Sequence, residues 1–364
     1  MATSYGYDVT SPLTNIPLRN ISDIVELEDL SMAVFIVTFV ASVISIISAI
    51  VFVCAFTKYR DCNTQNTLII CLTIANGLTC VGIVMGAFHY KKDIPFGNSG
   101  TFCLVQSVIC TYFDIVADIY TLYVEVNICS QLAFNYIFME RRLAKIFYHA
   151  LAWSIPLIIV GVGWSRNALG ESASLDGSWC WISDSISDRE EWIWMVVTKQ
   201  GWEMVVYLGT CFMFIIIGYQ RFCRNTRRLL PSHYNVTTDE MSTAINVPGE
   251  RTQLMTRSTS SQNRGYPTLS VNSVLVWVGM YFYFAKMWGT IRYGVHIYEL
   301  AFDGDVSGFG PAEKYFFIFA QSLGDSLQAT ITCCVFVLKD AELRRKVCCR
   351  RAIRIEQSTH NHQT

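Results

Sequence analysis

The stretch FCLVQSVICTYFDIVADIYTLYVEVNICSQLAFNYIF, Phe102 to Phe138, decides the fold. It contains no base and only three acids, Asp114, Asp118 and Glu125. About 20 apolar residues suffice for a helix to cross the hydrocarbon core, so this block spans it with length to spare for tilt or projection. At 100° per residue the three acids fall on one narrow stripe, which Cys103 and Thr121 share. A charge inside a membrane costs roughly 2.5–3.5 kcal/mol on insertion scales, so the stripe must face other helices rather than lipid. One block therefore implies a bundle.

The rest of the chain supplies that bundle. Its 364 residues are 52% hydrophobic and 16% charged, well below the roughly 25% charge of a soluble domain. Seven long apolar blocks stand out: Leu30–Phe56, Thr67–His89, Phe102–Phe138, Phe147–Trp164, Trp192–Tyr219, Val271–Ile297 and Tyr315–Leu338. They are far longer than barrel strands and do not alternate in polarity. The fold class is an all-α membrane protein, a seven-transmembrane helix bundle. Three regions are expected: an extracellular tail 1–29, a seven-transmembrane bundle 30–338 with a largely disordered cytoplasmic loop 220–270, and a cytoplasmic amphipathic helix and tail 339–364. No basic n-region opens the chain, so the first block is read as a retained span rather than a cleaved signal.

Basic residues orient the bundle. With the N-terminus outside, inside segments hold 19 Lys and Arg against six outside. The chain is thus read as N-terminus extracellular, C-terminus cytoplasmic. On the outer tail, Asn20-Ile21-Ser22 is a glycosylation sequon. Asn235-Val236-Thr237 shares the pattern but falls on the inside. After the seventh block, LKDAELRRKVCCRRAIRI reads as a basic amphipathic helix on the membrane surface, where Cys348 and Cys349 suit palmitoylation. Most of the 14 cysteines lie inside apolar blocks and act as small hydrophobes.

Other blocks carry charges as well. Lys199 and Glu203 form an i,i+4 pair in the fifth, Lys286 and Arg292 lie on different faces of the sixth, and Asp325 sits mid-way along the seventh. Asp114, Glu203 and Asp325 each lie about 11 residues inside their outer ends, near mid-membrane, with Lys286 at a similar level. These groups, with Trp181 of the loop before the fifth block, are the expected ligand-binding residues: Asp114, Trp181, Lys199, Glu203, Lys286, Arg292 and Asp325. The competing reading is an ion-pair network that only fixes packing. Glu125 lies about 33 Å along its helix, near the inner end, and is read as an activation switch.

The chain resembles the G-protein-coupled receptors. The rhodopsin-like signatures are absent: the end of the third block reads FNYIFMERR. YTLYVEVNIC (Tyr120–Cys129), AWSIP (Ala152–Pro156) and the Cys180-Trp181 pair are similar to segments of the secretin-like and cyclic-AMP-receptor-like classes. GSWCWI followed by WEM (Trp202–Met204) is most similar to orphan receptors related to slime-mould cyclic-AMP receptors. That resemblance implies an extracellular signal passed to a heterotrimeric G protein, docked at the basic inner face around Arg141, Arg142, Arg221 and Arg224. The outer tail is short and lacks cysteine, so a small molecule is expected rather than a captured peptide hormone. Cys103 and Cys180 both fall on the oxidising outer side and are expected to form a disulfide.

Partners are therefore lipid, a G protein and an extracellular ligand, with no nucleic acid. The location is the plasma membrane. No cofactor, metal or enzyme activity is expected: the six histidines are scattered and no GxSxG motif occurs. A seven-span transporter without G-protein coupling is the alternative. It would favour repeated halves and helices broken by Gly or Pro, which the sequence does not show.

Overall fold

The computed structural model describes residues 21–59, 64–91, 100–134, 142–170, 180–183, 185–229, 279–281, 283–295, 298 and 311–339. Helices α1 (Ile21–Tyr59), α2 (Thr64–Lys91), α3 (Gly100–Phe134) and α4 (Arg142–Ser165) are followed by a two-stranded hairpin. Its strands, β1 (Leu169–Gly170) and β2 (Trp181–Ile182), pair antiparallel, with Leu169 opposite Ile182. Next come α5 (Asp188–Met195), a π-helical turn (Val196–Gln200) and α6 (Gly201–Leu229). Residues 283–295 form α7, and α8 runs Pro311–Lys339.

Five helical segments are long and apolar enough to cross a membrane: Met32–Lys58, Asn66–Ala87, Gly100–Gln131, Arg142–Ser165 and Arg189–Gln220. The expected sixth and seventh blocks correspond to α7 and α8. The middle of α8 is diluted by Gln321, Ser322, Asp325, Ser326 and Gln328, which lowers its apolarity although its 29 residues could reach across. α1 begins at Ile21, ahead of its apolar block. Asn20, Arg141, Cys348, Cys349 and most of the loop 220–270 lie outside the described residues, as do the side chains of Arg221 and Arg224.

Helix α3 is the hub, packing against α2, α4 and α6 as well as the hairpin. Its apolar faces build the main core, where Ile115, Val116, Tyr120 and Ile128 meet Leu68 and Ile69 of α2 and Met213 of α6. Tyr120 is fully buried, and its hydroxyl bonds His149 Nδ1 of α4 at 2.7 Å. The seam between α1 and α8 is built from small hydroxyls: Ser42 Oγ donates to Ser326 Oγ at 3.1 Å, and Thr330 N–H donates to Ser45 Oγ at 3.2 Å. Small residues let apolar helices approach closely in lipid, where no hydrophobic force drives them together. Towards the C-terminal ends of α1 and α8, Phe52, Phe56 and Phe336 pack into the same seam.

Outward faces are apolar instead. Ile50, Leu157, Ile158, Leu208 and Ile215 are among the exposed large side chains. In water such surface would be a liability, whereas in a bilayer it is the lipid face.

Candidate functional site

The hairpin closes one end of the bundle. Cys103, at the start of α3, is disulfide-bonded to Cys180, with Cα atoms 5.2 Å apart across 77 residues of sequence. Cys180 N–H also donates to Gln106 Oε1 at 3.4 Å. Asn167, at φ 54°, turns the chain sharply out of α4. Leu169, Ile182, Val160 and Met195 then form a second buried cluster. Trp181 and Trp194 pack against it, so Trp181 belongs to the apolar seat of the lid. Trp192 is exposed at the start of α5, as expected for an interfacial ring. Removing a native disulfide from a small secreted domain costs about 2–5 kcal/mol. Cys180→Ser is therefore expected to lower surface expression severalfold in a whole-cell epitope assay. Unchanged expression would mean the hairpin is held by packing alone.

About 16 Å below Cys103, at 1.5 Å per residue, lies Asp114. It belongs to a chain of ion pairs that crosses the bundle. Lys199 Nζ sits 2.9 Å from Asp325 Oδ2 and 3.8 Å from Asp114 Oδ2. Lys286 Nζ sits 3.3 Å from Asp325 Oδ1 and 3.4 Å from Glu203 Oε1. Asp325 is thus the bridge between the two lysines. Thr290 Oγ1 reaches Glu203 Oε2 at 3.4 Å and Tyr207 Oη at 3.0 Å. Arg292 Nη1 donates to Gln321 Oε1 at 3.3 Å, one turn of α8 from Asp325. Five of the expected residues therefore meet directly: Asp114, Lys199, Glu203, Lys286 and Asp325. Arg292 lies at the margin and Trp181 in the lid.

Lys199 does not pair with Glu203. Lys199 lies inside the π-turn Val196–Gln200 and Glu203 beyond it, so the regular i,i+4 spacing is lost, and each finds a partner on another helix. Gly201 closes this turn: a Cβ there would lie 2.7 Å from Val196 O, which leaves no room for a side chain. Val197 O accepts a 3.0 Å bond from the Trp202 indole, which helps satisfy a carbonyl in the widened turn.

Two further features escaped the sequence reading. Asp118 is 1% exposed and neither carboxylate oxygen accepts a hydrogen bond among the described residues, although Lys286 lies within electrostatic reach. A cavity of about 40 Å³ beside Asp114 is walled by Lys199, Asp325, Thr79, Ser322 and others. Small hydroxyls give no signal in sequence, because Ser and Thr recur throughout membrane helices as packing residues.

Towards the C-terminal end of α3, Glu125 is 3% exposed and accepts a hydrogen bond from Thr210 Oγ1 of α6. Its other oxygen, Oε2, has no hydrogen-bond partner among the described residues and lies against Gly209. Thr210 was legible in principle, since it stands seven residues, two helical turns, beyond Glu203 on the inward face. Arg142 is exposed at the start of α4.

Apolar helices around a stripe of buried charge, capped at one end by a disulfide-anchored hairpin, define a multi-pass helical membrane protein. Residues 25–191 match the family described as slime mold cyclic AMP receptor. The chain is 22% identical to G-protein coupled receptor 157 of Mus musculus over 210 residues, 56% of this chain and 54% of that protein. The Rattus norvegicus protein of the same name is 22% identical over 291 residues, 78% of this chain and 75% of that one. The Homo sapiens protein is 20% identical over 208 residues, 57% of this chain and 49% of that one. The chain thus spans about half the length of the mouse and human relatives and three quarters of the rat one. The chain is thus similar to G-protein-coupled receptors and, over its first half, to the cyclic-AMP-receptor family. The secretin-like half of the expected resemblance is a finer statement that these matches do not carry. Nothing in the fold or the matches favours a transporter.

Proposed function

We propose that the chain is a seven-span plasma-membrane receptor, N-terminus outside, that passes an extracellular small-molecule signal to a heterotrimeric G protein. One observation carries this: the ion-pair chain joins α3, α6, α7 and α8 through side chains rather than backbone. A ligand that competes for Asp114, Lys199, Glu203, Lys286, Arg292 or Asp325 re-pairs these helices and shifts the population between two bundle arrangements. Trp181 and the bonded hairpin hold the outer mouth. Glu125 with Thr210 holds α3 to α6 at the inner end and acts as the activation switch. Arg141, Arg142, Arg221 and Arg224 form the basic face for the G protein.

The family match makes cyclic AMP the first ligand to test. The test of the class needs no ligand: the full chain is co-expressed with a panel of G proteins and basal nucleotide exchange is measured. Expected is exchange above mock-transfected membranes for at least one G protein. Once an agonist is found, Glu203→Gln should abolish the evoked part while surface expression persists. No exchange with any G protein, together with solute flux into vesicles, would favour the transporter.

A further inference from the structure

Residues 188–229 form one continuous helical rod with a widened turn at Val196–Gln200. Such a turn holds a residue more than an α-turn, so side chains within it and beyond it fall out of α register. Two contacts belong to the wide form. Gly201 N–H reaches Val196 O, and a Cβ at Gly201 would lie 2.7 Å from that oxygen. Val197 O accepts the Trp202 indole at 3.0 Å, a side-chain bond made inside the turn.

The charges around the turn pair in either of two registers. In the one seen here Lys199 holds Asp325 at 2.9 Å, and Glu203 holds Lys286 at 3.4 Å. When the extra residue passes to the turn below Glu203, Val196–Gln200 closes to α geometry. Lys199 and Glu203 then regain i,i+4 spacing and meet on one face. Lys286 keeps Asp325, 3.3 Å away, and Asp114, 3.8 Å from Lys199, gives up its lysine. Both lysines are paired either way, so the two registers lie close in energy, which is what a bistable element needs. There is room for the exchange. A cavity of about 40 Å³ adjoins Lys199, in an interior that is otherwise close-packed.

The rod is anchored on both sides of the turn. Above it Met195 is buried in the hairpin cluster; below it Tyr207 bonds Thr290, Thr210 bonds Glu125 and Met213 sits in the main core. A shift is therefore confined to the turns that carry Lys199 and Glu203. We infer that the widened turn is a register switch: it moves down past Glu203 and turns Glu203 from Lys286 onto Lys199. Gly201 and Trp202 are the residues that position it in the register seen here. The switch stands without the receptor reading; under that reading, a ligand that competes for Lys199 or Glu203 biases the two registers.

The test follows the unfolding temperature of the full chain in lipid nanodiscs through two double-mutant cycles. One joins Glu203→Gln with Lys286→Gln, the other Glu203→Gln with Lys199→Gln. Each is run on the wild-type chain and on Gly201→Ala. Alanine is the best helix former, yet its Cβ collides with Val196 O in the wide turn, so it favours the moved register. In the wild type a coupling of roughly 2 °C or more is expected for Glu203 with Lys286, and none for Glu203 with Lys199. In Gly201→Ala the two should exchange. Trp202→Phe, which removes the indole donor, should act in the same direction and decides the matter if Gly201→Ala does not fold. A density map of Gly201→Ala reads the swap without any charge variant: Glu203 beside Lys199 supports the switch, and Glu203 still on Lys286 overturns it. Couplings left unchanged by both Gly201→Ala and Trp202→Phe overturn it as well. No G protein enters these measurements, so failure here leaves the receptor reading standing, and absent nucleotide exchange leaves the switch standing.

Discussion

Asp325→Asn should strip most of the protein from the cell surface. Asp325 receives Lys199 at 2.9 Å and Lys286 at 3.3 Å, and the lysine side chains are only 12% and 2% exposed. Asparagine keeps the shape and loses the charge. Two buried ammonium groups then depend on Asp114 at 3.8 Å and Glu203 at 3.4 Å. Breaking a buried pair by removing one partner costs about 3–5 kcal/mol, because it leaves charge uncompensated. Total stabilities are only about 5–15 kcal/mol, and even 1–2 kcal/mol changes cellular abundance severalfold. Surface level by flow cytometry and unfolding temperature in detergent should both drop sharply. Asp325→Glu, which keeps the charge, should fall less. Adding Lys199→Gln to Asp325→Asn should recover part of the loss, since the two residues are directly coupled. Wild-type surface levels for Asp325→Asn alone would show that the ion chain does not hold the bundle.

Glu125→Gln should raise basal signalling with little loss of surface expression. The Glu125 carboxylate accepts from Thr210 across the α3–α6 interface. Charge-assisted hydrogen bonds are roughly twice as strong as neutral ones. Neutralising the acceptor weakens that tie by about 1 kcal/mol, and 1.4 kcal/mol shifts a two-state equilibrium tenfold. Basal nucleotide exchange per surface receptor is expected to rise about three- to tenfold. Thr210→Val should act in the same direction. Gly209→Ala gives an independent check, because a Cβ there would stand 2.5 Å from Glu125 Oε2 and push the carboxylate off α6. Flat basal output in all three variants, at normal surface level, would remove Glu125 from the switch.

Much of the site was legible before any coordinates. The stripe of Asp114, Asp118 and Glu125 followed from 100° steps along one helix, and the structure turns all three inward. Cys103 and Cys180 were paired by compartment, and they are bonded. What failed was the local pairing of Lys199 with Glu203. An i,i+4 rule assumes an unbroken α-helix, and the π-turn at Val196–Gln200 breaks that register. Trp181 was expected among the ligand-binding residues, and β2 packs it against the Val160–Leu169–Ile182–Met195 cluster.

By itself the sequence determined that this chain lives in a membrane and that its few intramembrane charges face inward. Both follow from solvation: long apolar runs leave water, and a lone charge cannot face lipid. Only the tertiary structure decided which charge meets which. Lys199 and Asp325 are 126 positions apart in sequence. Their meeting depends on one turn of π-helix and on how α8 packs against α1 and α2, which no periodicity encodes. The hydroxyls of Thr79 and Ser322, which meet no hydrogen-bond partner among the described residues, belong to the same category, since partnering is a property of the space between helices.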